Sequence, residues 1–243
     1  MKHIGLAPRL GLLTALLVIL SSACALAEDF TLSDIKYWVG SGTNESALVI
    51  DWNDSISPDP LVFGYKWDAP ASGGNPTVYD MMEAFQSADS YLKFYANPSY
   101  DSPSTGDYAL YAAFYNLTGG AGPTVGTPGN LGGTENGHAP AGDHYKEGWE
   151  IKGFWGELLG DGNPYDGGSW DSFSPEGVAV DTISEDSWAG LSFSTDLTNY
   201  TVPDPGYPDA EFPLPVPEPS GLCLLPIGVI GLFTCWRRKR RMT

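Results

Sequence analysis

Between residues 28 and 200 apolar and polar side chains alternate in short runs, most of them bounded by Gly, Pro, Asn or Asp. In 47–52, Leu48, Ile50 and Trp52 fall on one side of an extended chain, and after the turn-rich 53–60 Leu61, Phe63, Tyr65 and Trp67 do the same. This predicts two paired strands with Trp52 and Trp67 facing inward. Similar alternation, rich in aromatic residues, marks 35–39, 91–95, 108–115, 149–155, 178–183 and 188–193 as further strands. One segment has a helical period instead. Thr77 and Asp80 fit a capping box, and Val78, Met81, Met82, Phe85 and Ala88 follow on one face, predicting a helix near 77–89. The expected fold is mainly β (α+β), an antiparallel β-sandwich with that helix, in one domain spanning 28–201. Apolar helices are expected to flank it at both ends of the chain.

The two ends break this pattern. Lys2 and Arg9 precede an apolar run over 10–20, and the segment closes on Ala25-Leu26-Ala27. Basic, apolar and small-residue parts in that order predict a secretory signal peptide over 1–27, cut after Ala27 by signal peptidase with Ala25 and Ala27 as the small residues it reads. At the other end, seven of the 18 residues in 202–219 are Pro, which predicts an extended stalk. Pro217-Glu218-Pro219 is followed by an apolar stretch over 221–236 and then by Arg237, Arg238, Lys239, Arg240 and Arg241. Sixteen helical residues rise about 24 Å, short of a hydrocarbon core of roughly 30 Å, so the stretch is a marginal membrane helix. The basic run is expected to stop it on the cytoplasmic side, leaving the acidic domain outside.

Over 217–243 the chain resembles the PEP-CTERM sorting class, in which a Pro-Glu-Pro triplet, an apolar helix and an Arg-rich end are read together by a membrane sorting protease, the exosortase. The resemblance implies trafficking, with the membrane and an exosortase as partners; it implies no activity. The segment Trp38-Val39-Gly40-Ser41-Gly42-Thr43-Asn44-Glu45, with 47–54, 61–68 and 81–89, also resembles a module of other secreted bacterial proteins, and transfers no catalytic residue.

Charge separates the same parts. The whole chain carries −18, whereas 28–217 holds five Lys, no Arg and 29 of the 30 acidic residues, a formal charge of −24. Nucleic acid is excluded as a partner, because phosphate neutralisation needs clustered Lys and Arg. Anionic ligands are disfavoured for the same reason. Cys24, Cys223 and Cys235 all lie in the terminal segments, so the domain has no disulfide, thiolate metal site or cysteine nucleophile.

The search for chemistry returns little. There is no GxSxG elbow, HExxH helix, P-loop or dinucleotide fingerprint. The domain's two histidines, His138 and His144, flank Asp143 beside a Gly-rich stretch over 119–142, and the three could form part of a metal site. A carboxylate pair could hydrolyse a glycosidic bond, but 29 acidic residues give no basis for choosing one. Calcium suits two clusters of oxygen donors: Asp51, Asn53, Asp54 and Asp59, and Asp161, Asn163, Asp166 and Asp171. Trp170 is the candidate for an exposed aromatic platform under a sugar ring. The expectation is an exported, exosortase-sorted, non-enzymatic protein of the cell surface or extracellular matrix, associated with exopolysaccharide and needing no cofactor, with calcium at the second cluster as the candidate ion. The alternatives are a secreted carbohydrate-active enzyme of the glycoside hydrolase type and a calcium-stabilised carbohydrate-binding module.

Overall fold

A computed structural model describes residues 29–208 except 70–72, 103–106, 129–134, 150, 172–173 and 175–176, with backbone only at 98–100 and 107. The signal peptide with Ala25 and Ala27, the triplet Pro217, Glu218 and Pro219, the helix over 221–236 and the basic run Arg237–Arg241 lie outside the described residues. Among the described residues, no helix is long and apolar enough to cross a membrane.

The fold is mainly β, with two sheets and one α-helix. Strands β1 (Trp38–Gly40), β2 (Asn44–Asp51), β3 (Leu61–Trp67), β4 (Leu92–Ser102), β5 (Asp107–Tyr115), β6 (His144–Glu147), β7 (Phe154–Asp161), β8 (Ser169–Trp170) and β9 (Ser187–Ser194) follow in chain order, with helix α1 (Val78–Ala88) between β3 and β4. The larger sheet runs β1-β3-β2-β9-β7-β8 and the smaller β4-β5-β6. The expected hairpin is present: β2 and β3 pair antiparallel, with Leu48 opposite Phe63 and Ile50 opposite Leu61. The larger sheet is mixed, however, because β1 pairs with β3 and β2 with β9 in parallel.

Both faces of the larger sheet are covered, which explains why β2 is buried from Ser46 to Asp51 rather than alternating in exposure. On its inner face Leu48, Ile50, Trp52, Phe63 and Leu191 join Val78, Met81, Met82 and Phe85 of α1 and Leu110, Ala113 and Tyr115 of β5 in one core. The Trp52 indole N–H donates across to the Ala113 carbonyl at 3.0 Å, tying the sheets together. Trp52 and Trp67 are buried, as the alternation predicts. On the outer face Ala47, Val49, Val62 and Trp188 pack with Phe30 and Ile35 of the N-terminal segment and with Tyr165 and Trp170. Helix α1 opens on the Thr77–Asp80 capping box and closes with the Asp89 N–H donating to the Phe85 carbonyl.

Two strand assignments and one boundary differ from the sequence reading. Residues 149–155 contain mostly the connection between β6 and β7, and only Phe154 and Trp155 are in a strand. Residues 178–183 form a turn that caps α1: the Val78 and Tyr79 N–H groups donate to the carbonyls of Asp181 and Val178, and Val178 and Ile183 are buried beside the helix rather than in a sheet. The helix start supplied the burial that alternation had suggested for a strand. Residues 202–208, assigned to the stalk, lie on the domain. Val202 rests over Gly156, Pro205 over Gly190, and the Gly206 N–H donates to Asp51 at 2.9 Å. A Cβ at Gly156 would come within 2.2 Å of Val202, so the absent side chain is what admits the tail. The rest of the expected stalk, 209–219, lies outside the described residues.

Candidate functional site

Three buried polar clusters stand out in this otherwise apolar framework. The first is built on the loop between β2 and β3, which folds back on its own carboxylates. Asp51 accepts from the Asn53 N–H at 2.9 Å, Asp54 from the Ile56 N–H at 2.9 Å, and Asp59 from the Trp52 N–H at 3.0 Å. Asn53 adopts a φ of 49°, a left-handed conformation that Asn tolerates better than most residues. The Ser57–Pro58 and Asp59–Pro60 bonds are cis. Into this loop β6 delivers His144, whose ring stacks on Trp52 with centroids 4.6 Å apart and planes 16° apart. Its Nε2 lies 2.7 Å from the Pro58 carbonyl, and its Nδ1 lies 3.2 Å from each oxygen of Asp54.

Asp54, Asp59 and His144 are the only His, Cys, Asp or Glu residues, among the described ones, that bring three candidate ligand atoms within 4.8 Å of one another. Both ring nitrogens of His144 nevertheless face oxygen acceptors, so an ion bound to either nitrogen would have to displace its contact with Asp54 or Pro58. Burial pushes the Asp59 carboxyl up to about 6, reinforced by the Asp51 carboxylate and opposed by the Trp52 N–H and His144.

The second cluster organises the Gly-rich stretch, in which the sequence showed no pattern. Glu147, at the end of β6, accepts from the Gly126 N–H at 2.8 Å, the Gly137 N–H, the Tyr145 hydroxyl at 2.6 Å and the Lys152 ammonium at 3.2 Å. Glu135 reaches the other way, accepting from the backbone of Trp149 and, at 2.7 Å, of Lys152. Thr124 and His138 exchange backbone hydrogen bonds at 2.8 Å. Asp143 receives the Thr118 N–H at 2.7 Å. Two buried glutamates thus supply the acceptors that a Gly-rich backbone lacks in a sheet. His138 is exposed and lies in this strap, while His144 belongs to the first cluster; the His138, Asp143 and His144 combination does not gather into a three-ligand group.

The third cluster is not among the candidates that the sequence singles out. Glu157 occupies a position on β7 that shares the inner face with Trp155 and Leu159, both part of the apolar core. It is 4% exposed, and neither carboxyl oxygen has a hydrogen-bond partner among the described residues. Burial pushes its pKa up to about 9, reinforced by the neighbouring Asp181 carboxylate. Asp181 is itself bonded by the Ser174 hydroxyl. A proton on Glu157 can be shared with Asp181, which satisfies one oxygen of the pair and leaves another without a donor. Beside Glu157 opens a cavity of about 190 Å³ lined by Tyr108, Leu110, Trp149, Trp155, Val178 and Leu191.

The calcium candidates over 161–171 are placed differently. Asp161, Asp166 and Asp171 are exposed around the β7–β8 turn and do not converge into a three-ligand group, while Asn163 is engaged at both ends of its amide: it donates to the Phe30 carbonyl at 2.7 Å and accepts from the Tyr165 N–H at 3.0 Å. Trp170 is half-buried, with its ring against Gly190 and edge-on to Tyr165 at 5.9 Å, so it forms part of the outer-face packing rather than a free platform.

No family model matches the chain, and neither a curated protein nor a solved structure matches it.

Proposed function

We propose that this chain is an exported, exosortase-sorted protein of the cell surface or extracellular matrix, whose acidic domain works as a non-enzymatic module associated with exopolysaccharide. The observation that best supports a displayed module is the meeting of its two ends. Phe30 and Tyr207 pack edge to ring with centroids 5.8 Å apart, and Tyr165 touches both at 6.1 and 5.6 Å. The segment following the expected signal peptide and the segment leading to the expected sorting signal therefore leave the domain at one place. A domain suspended in this way keeps its remaining surface clear of the membrane that holds it.

The rest of the reading comes from the sequence: the signal peptide over 1–27, the triplet Pro217-Glu218-Pro219 with its helix and basic end, and a domain of charge −24 without cysteine. The two sheets fit the layers of a β-sandwich, with α1 beside the smaller sheet, and apolar helices at both termini complete the precursor. The first two clusters fit a non-enzymatic reading, since His144 is sealed and two glutamates are spent on holding a loop.

Association is tested by fractionating cells that make the full chain and adding their extracellular polysaccharide to the purified protein. Co-sedimentation with the polymer, and labelling of the domain on intact cells, are expected. A domain confined to the cytoplasm, or one that hydrolyses the polymer, contradicts the proposal.

A further inference from the structure

The cavity beside Glu157 has a chemical character of its own. Its walls are the rings of Tyr108, Trp149 and Trp155 and the aliphatic side chains of Leu110, Val178 and Leu191. Its main polar feature among the described residues is Glu157, 4% exposed, whose carboxyl group is paired with a second acid, Asp181, so that neither meets a donor unless the pair holds a proton. Protein interiors hold few voids larger than a water molecule, and buried acceptors are normally paired with donors, so an aromatic hollow beside a buried glutamate whose partner is a second acid is suited to an occupant.

The occupant must bring donors. A carboxylate accepts only, and an ammonium group donates three hydrogen bonds and accepts none. Aromatic rings favour a cation over their faces, and the remaining wall asks for a short hydrocarbon chain. Calcium does not suit the site, because it takes six to eight oxygen ligands and most of this lining is apolar. A sugar ring suits it less well, because it carries hydroxyls around its whole edge, whereas most of this lining is apolar. Among the described residues, no Lys or Arg lines the cavity.

We propose that the hollow between Tyr108, Trp149 and Trp155 is a binding site for a small primary alkylammonium ion, held by Glu157 with Asp181 beside it. This assignment is independent of how the protein is sorted. At neutral pH the ion displaces the proton that Glu157 carries, so binding releases one proton and tightens as pH rises. The groups facing Glu157 are Asp181 and Ser174 from the turn before β9, Tyr108 from β5 and Trp155 from its own strand; β9 contributes the apolar Leu191.

The test titrates the purified full-length protein with n-butylammonium chloride by calorimetry, with n-butanol and methyl β-glucoside in parallel. Saturable binding of butylammonium is expected. It should tighten by up to about tenfold per pH unit between pH 6 and 8, below the proton affinity of Glu157. Glu157→Gln keeps the shape and removes the charge, and should weaken binding by about tenfold or more while the protein stays folded. Trp149→Ala, at the half-buried rim, should weaken it without touching the carboxyl pair. Absence of butylammonium binding, equal binding of butanol, tighter binding of the glucoside, or an unchanged affinity in Glu157→Gln overturns the assignment. Because sorting and polysaccharide association are measured separately, failure here leaves the proposed function standing.

Discussion

Phe30 and Tyr207 pack edge to ring with centroids 5.8 Å apart, which makes the residues after the expected signal peptide and those before the expected sorting signal part of one aromatic cluster. Phe30 is 3% exposed and Tyr207 53%, so the two contribute unequally. Phe30→Ala is expected to lower unfolding free energy by about 3 kcal/mol and Tyr207→Ala by about 1 kcal/mol. Ending the chain at Thr201 should cost more than Tyr207→Ala, because it also uncovers Gly156 and Gly190 and removes the Gly206 bond to Asp51. Urea unfolding of the three variants checks the order.

His144 and Trp52 tie the β2–β3 loop to the smaller sheet. His144→Ala removes the stack on Trp52, opens a cavity and takes away one of the partners of Asp54, so a loss of about 3 kcal/mol is expected. Asp59→Asn should act in the opposite sense. Its folded pKa, about 6, is raised above the ordinary value of 3.8, so the ionised form is disfavoured in the fold. That penalty is absent below the unfolded pKa, grows as pH rises through the window between the two values, and is complete above about 6. Asp59→Asn is therefore expected to match the wild type near pH 4 and to be the more stable protein at pH 7, as melting curves at the two pH values would show.

Glu157 obeys the same sign with a wider window. Its proton is held in the folded state up to about pH 9 and in the unfolded chain only to the ordinary value of 4.5. Stability should fall with rising pH across that range by roughly 1.4 kcal/mol per unit from this group alone. Glu157→Gln is expected to melt higher than the wild type at pH 8 and to lose much of the slope. An unaltered slope between pH 6 and 8 would remove Glu157 as its source.

Glu147 runs the other way. Burial opposes its ionisation, but the hydrogen bonds from Tyr145, Gly126, Gly137 and Lys152 outweigh it and hold its pKa below the ordinary range. This contribution is present above the unfolded pKa and is lost as pH falls through the lowered folded value. Glu147→Gln should release the Gly-rich strap at neutral pH, seen as faster proteolysis within 119–142, and should differ least from the wild type in strong acid.

The parts legible in the sequence were those governed by local periodicity. Residues 61–67 read as a strand and Leu61–Trp67 is one, and the Thr77–Asp80 box marks the start of α1. Val178 and Ile183 misled because burial against a helix end and burial in a sheet leave similar apolar spacing over six residues. The parallel neighbour β9 of β2 was illegible for a different reason, since nothing local in 187–194 says which edge it joins. Among candidate residues, the acidic loop was found but its partner was not: Asp54 and Asp59 were grouped with Asp51 and Asn53, and His144 with His138 and Asp143, whereas the fold pairs across the groups. Glu157 left one usable signal. Placed on a strand over 154–161, it falls on the apolar face between Trp155 and Leu159, and the earlier strand boundary at 155 hid it.

The central claim is that the chain is exported and sorted at its C-terminal triplet, and intact mass answers it most directly. Mass spectrometry of the protein recovered from cell surface and medium should give a chain that begins at Glu28 and lacks the helix over 221–236. The double variant Pro217→Ala/Pro219→Ala should instead retain that helix and stay with the membrane. If both proteins were recovered at the same mass and in the same fraction, the account of sorting would be wrong.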